Sequence, residues 1–109
     1  MPDSQSDLER DFANAMRDIY VRAKTEAGYN ATYFLQMLAE AGPLETARKL
    51  VMSAHPSQGF TTLWERRRLD LTVEAHVLAP HFTPLFTDIE REAARSRLAA
   101  YGYAPRLEC

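Results

Sequence analysis

The sequence predicts an all-α fold, a compact single-domain bundle of five or six short helices, on three observations. Apolar residues recur at threes and fours over most of the chain. Glycines and prolines stand where such stretches would start or stop, and two Ser/Thr-x-x-Glu capping boxes mark helix starts. Period-two alternation is confined to Leu69, Leu71 and Val73, and a lone short strand there would have nothing to pair with.

Ser6 with Glu9 is the first capping box, opening a long amphipathic helix through Leu8, Phe12, Ala15, Met16, Ile19, Tyr20, Ala23 and Ala27 that Gly28 ends. Asn30 is expected to cap a second helix with Tyr33, Phe34, Met37, Leu38 and Ala41 on its apolar side and Gly42 as its stop. Pro43 can open a third, carrying Leu44, Ala47, Leu50, Val51 and Ala54. His55 to Gly59 reads as a loop. A short helix with Phe60, Leu63 and Trp64 follows, then a break near Leu69, then a helix capped by Asp70 that Pro80 closes. Pro80 to Pro84 is an irregular connector, and Thr87 with Glu90 opens the last helix, through Ile89, Ala93, Ala94, Leu98 and Tyr101 to Gly102. The whole chain, 1–109, is one domain, with 1–6 and 104–109 expected to fray.

At 109 residues the chain can bury a normal core without metal or disulfide support. A formal net charge of -2 with mixed signs gives no general attraction for nucleic acid or an anionic membrane. The single cysteine, Cys109, excludes an intramolecular disulfide and a multi-thiolate metal site. With a polar N-terminus and no long apolar run, the expectation is a cytoplasmic protein, neither exported nor membrane-bound. Asn30-Ala31-Thr32 matches a glycosylation acceptor but reads as a helix start in that setting.

The segments Glu45 to Leu50, Gly59 to Glu65, Arg68 to Glu74, Leu85-Phe86-Thr87 and Tyr101-Gly102-Tyr103 together resemble a group of small bacterial proteins of uncharacterised activity. The resemblance covers most of the chain from about Phe12 onward. It implies a bacterial origin and no mechanism.

The stretch Gly59 to Leu78 concentrates the unusual residues: the only Trp, the run Arg66-Arg67-Arg68, the pair Asp70 and Glu74, and His76. Three consecutive arginines fan round a helix, so they cannot all grip one phosphate row. The plain expectation is one buried Arg paired with Glu74 or Glu65 and two solvated ones. Arg91, Arg95 and Arg97 could extend the run into a nucleic-acid patch if the last helix packs alongside. The Gly42 turn invites a helix-turn-helix comparison, but Glu45, Thr46, Arg48 and Lys49, expected to face outward, mix signs, and two packed antiparallel helices fit better. Asp70, Glu74, His76 and His81 are the candidates for a metal-assisted enzyme, although Asp70 explains itself as a cap and no established metal spacing is present. No phosphate loop or nucleophile elbow occurs.

The leading expectation is a small non-enzymatic interaction or regulatory protein, without a cofactor. It would bind a protein partner or a second copy of itself through Phe60, Trp64, Arg66, Arg67, Arg68, Phe82 and Phe86, since Trp and Arg dominate interface energies. The alternatives are a nucleic-acid-binding accessory protein using the six arginines and a metal-assisted enzyme.

Overall fold

An apolar stripe through Phe12, Met16, Ile19, Ala23 and Ala27 organises α1, Ser4–Ala27, and all five residues are buried. This computed structural model describes residues 4–103, with side chains from residue 7. Five further α-helices follow among the described residues: α2 Thr32–Ala41, α3 Pro43–Met52, α4 Gln58–Glu65, α5 Val73–Val77 and α6 Asp88–Ala100. Two 3₁₀ turns, Leu69–Leu71 and Pro80–Leu85, flank α5. The fold is all-α, and no strand occurs among the described residues. No helix among them is long and apolar enough to cross a membrane.

Several boundaries differ from expectation, each for a local reason. α1 starts at Ser4, so Ser6 lies inside the helix instead of capping it, and residues 4–6 are helical. The fraying expected of 1–3 and 104–109, and Cys109 itself, fall outside the described residues. Asn30 does not cap α2, because its Oδ1 accepts a hydrogen bond from the Tyr20 hydroxyl at 3.0 Å; Ala31 occupies the cap position. Gly59 lies within α4, because the Ser57 hydroxyl accepts from the Phe60 N–H and starts the helix there. Thr72, not Asp70, caps α5: its hydroxyl accepts from the Ala75 N–H at 3.2 Å and donates to Leu69 O at 2.6 Å. Pro80 opens a 3₁₀ turn instead of closing a helix, and Pro84 within it is consistent with its staying short of a regular α-helix.

α3 is the central element, packing on α1, α2, α5 and α6. Phe12 joins α1 to the second 3₁₀ turn, its ring edge-on to Phe82 at 5.0 Å and to Phe86 at 5.2 Å. Val51, Val77, Ala94 and Leu98 belong to the same core. A smaller cluster of Ala23, Ala27, Leu63 and Leu71 joins the end of α1 to α4. α2 is the exception: it has no buried residue, Tyr33 is 72% exposed, and it rests against α1 and α3.

Candidate functional site

The turn after α4 shows how the arginine run is used. Arg67 has φ 60, the one left-handed non-glycine among the described residues. Its N–H donates to Trp64 O at 3.0 Å and the Arg68 N–H to Leu63 O at 2.8 Å, the paired bonds of a helix stop that ordinarily places glycine at this position. That reversal sends the neighbouring arginines back onto α1. Arg66 Nη1 donates to the free carbonyl of Ala27 at 2.5 Å, crossing so close over Gly28 that a Cβ there would lie 3.2 Å from the guanidinium. Arg68 Nη2 donates to Glu26 Oε1 at 2.8 Å, and its Nε and Nη2 clasp Asp70 at 3.0 Å. Hydrogen bonds from Arg22 and Arg68 hold Glu26 at a pKa of about 2, and Arg68 likewise holds Asp70 below the usual carboxylate range. The run is therefore a clamp on the C-terminus of α1, where cations also suit the helix dipole. Only Arg67 of the three points away without a side-chain hydrogen bond or ion pair.

The expected partner-binding residues consequently divide. Phe60, Phe82 and Phe86 are buried, the last two against Phe12, and cannot form the proposed surface. Arg66 and Arg68 are occupied internally. Trp64 remains 44% exposed, its indole set edge-on to Tyr101 at 5.2 Å and its backbone carbonyl accepting from the Arg67 N–H.

The six arginines do not pool their charge. Arg97 turns inward, where Nη1 donates to Leu50 O at 2.8 Å and to Glu74 Oε2 at 3.2 Å, and Nη2 donates to Ser53 O. Arg95 pairs with Glu92 on its own helix, and Arg91 has its Nε shut away from solvent without an acceptor. The expected pairing of Glu74 with the arginine run is thus replaced by Glu74 with Arg97. α3 likewise turns two of its expected outward residues to internal partners. Thr46, expected to face outward, is fully buried with its hydroxyl donating to Met37 O at 3.1 Å, and Arg48 bonds Leu85 O and pairs with Glu90.

The metal-site candidates are likewise separated. Asp70 lies in the 3₁₀ turn before the Thr72 cap, so it does not share a helical face with Glu74. His76 Nδ1 contacts Thr72 O at 2.8 Å, and burial pushes its pKa down. His81 reaches across to Asp11 at 3.1 Å on the surface. Among the described residues no three His, Cys, Asp or Glu side chains gather as a metal site.

One feature is only faintly signalled in the sequence pattern. A cavity of about 260 Å³ lies beneath α2, walled by Ile19 and Ala23 of α1, Tyr29, Phe34, Phe60 and Glu74. Tyr33 and Gln58, both exposed, also line it. Glu74 is 2% exposed, and burial raises its pKa in spite of Arg97. The signal available in the sequence was α2 itself, whose apolar residues on successive positions, Tyr33, Phe34 and Leu35, exceed what one packed face can bury.

Comparison with family models gives no match. Neither a curated protein nor a solved structure matches the chain.

Proposed function

We propose that this is a small non-enzymatic binding protein that engages another protein through the corner where α4 stops. The observation that carries the reading is Trp64, a large apolar side chain left 44% exposed and held by Tyr101, at the same helix stop as the exposed Arg67. Trp and Arg together are the residue types on which interface energies concentrate, and a pre-positioned ring loses little entropy on docking. The partner fitting this corner presents an apolar contact flanked by a carboxylate. Placement of the other candidates supports the same choice: Asp70, Glu74 and His76 hold the fold together, and four of the six arginines are committed within it.

The test compares the native chain with Trp64→Ala and Arg67→Glu in affinity capture, with nuclease present, and in sedimentation for self-association. A stoichiometric protein partner, or a dimer, that both substitutions abolish while helicity stays unchanged supports the reading. Partners retained by both variants count against this corner, and capture that nuclease removes counts against a protein partner.

A further inference from the structure

We propose that the cavity beneath α2 is a binding site for a small organic cation, a primary ammonium on an aromatic or branched aliphatic body, with Glu74 as its polar anchor. The site does not use Trp64 or Arg67 and stands apart from the reading of that corner. Size sets the first limit. At about 260 Å³ the space exceeds the roughly 150 Å³ cavity that accepts benzene and falls below the roughly 300 Å³ at which drug-sized pockets begin. An occupant of roughly ten non-hydrogen atoms fits.

The wall sets the chemistry. Tyr29, Phe34 and Phe60 offer ring surface to an apolar body and favour a cation near their faces. Glu74 contributes an acceptor that is almost wholly removed from solvent. A carboxylate has about four acceptor positions. Arg97 fills one on Oε2, which leaves capacity for an incoming N–H. Arg97 in turn shares its donors among Leu50 O, Ser53 O and Glu74, so only Nη1 reaches the buried carboxylate. Burial raises the Glu74 pKa in spite of Arg97, so the ionised carboxylate is disfavoured where it stands. An ammonium supplies both the missing charge and the missing donors, whereas an anion of the same shape would meet Glu74 with like charge. Tyr33 and Gln58, exposed at the lining, mark the side from which it enters.

The experiment uses the full chain and three probes of matched size: phenethylammonium, neutral propylbenzene and anionic hydrocinnamate. Binding is followed by calorimetry and by methyl resonances of Ile19, Leu63 and Leu71. The expected result is saturable binding of phenethylammonium, about tenfold or more tighter than either other probe, with shifts at those methyls. Ala23→Leu, which fills the cavity and keeps Glu74, abolishes binding, and Glu74→Gln removes the preference for the cation. Should Glu74→Gln fail to fold, the carboxyl carbon resonance of Glu74 in the native chain must move on adding phenethylammonium. Binding of none of the probes overturns the site. Equal or tighter binding of propylbenzene, or a Glu74 carboxyl that does not respond, overturns its assignment to a cation.

Discussion

Arg66 donates from Nη1 to the carbonyl oxygen of Ala27 at 2.5 Å, tying the turn after α4 to the last turn of α1 across 39 positions of chain. The bond satisfies one of the carbonyls that a helix end leaves without a partner, and it is charge-assisted. Its neighbour Arg67 sits where φ is 60 and gains no side-chain hydrogen bond or ion pair in return. Two adjacent arginines should therefore respond oppositely to substitution. Arg66→Ala is expected to lower stability by about 1–2 kcal/mol, the worth of a partly exposed charged hydrogen bond. Arg67→Gly should raise it by about 1 kcal/mol by relieving the left-handed conformation. Urea denaturation of the two variants checks both signs.

The carboxylate of Glu26 lies between Arg22 and Arg68, with hydrogen bonds at 2.9 Å and 2.8 Å. Its pKa falls from 4.5 to about 2, first through the Arg22 bond and then through Arg68. A carboxylate depressed in the fold contributes stability that is present above the unfolded value and lost as pH falls through the folded one. The window here is pH 4.5 down to about 2. Carbon-detected titration should place the Glu26 midpoint near 2 in the native chain and higher in Arg68→Ala. A midpoint unchanged by that substitution would remove Arg68 from the clamp.

Fold and site were unequally legible in the sequence, and the division has a physical cause. Helix identity follows from short-range periodicity, and Gly28, Gly42 and Gly102 do stand at helix ends with positive φ. Caps were less legible because several polar residues compete for each start. Asp70 is a good cap by type, but Arg68 claims its carboxylate and Thr72 takes the role. The arginines illustrate the remaining difficulty. Arg66 and Arg68 look solvent-bound until Ala27 and Glu26, about forty positions away, come into reach. Phe82 and Phe86 sit in a connector that reads as irregular, and nothing local says that Phe12 receives both rings. The cavity is least legible of all, since it exists where α2 leaves space unfilled.

Arg97 is deeply engaged, its side chain 10% exposed against 3% for Glu74. It joins α6 to the C-terminal carbonyls of α3 and to α5. Removing one member of such a pair leaves the other buried and uncompensated, which costs about 3–5 kcal/mol. Arg97→Ala should destabilise by that amount in denaturant melts. Arg97→Lys should recover only part of it, because a lysine cannot reach Leu50 O, Ser53 O and Glu74 together with the geometry of a planar fork. Exposed Arg95→Ala, whose partner Glu92 lies on the same helix, serves as the control and should change stability by less than about 0.5 kcal/mol.

Glu74 has the opposite pH behaviour to Glu26. Burial is the largest influence on it, outweighing its own backbone N–H and Arg97, so its folded pKa lies above 4.5. The ionised form is then less favourable in the fold than in the unfolded chain. The resulting penalty is full at pH above the folded value and disappears once pH falls below 4.5, where both states are protonated. Glu74→Gln keeps an oxygen for Arg97 and cannot ionise, which isolates this contribution. Wild type should gain stability relative to Glu74→Gln as pH is lowered from 7 toward 4, the reverse of the trend for Glu26→Gln over its own range. Paired urea melts at several pH values measure the difference directly. A gap that stays constant across the window would mean that Arg97 compensates the buried carboxylate in full, and the cavity wall would then carry no unmet charge for a ligand to answer.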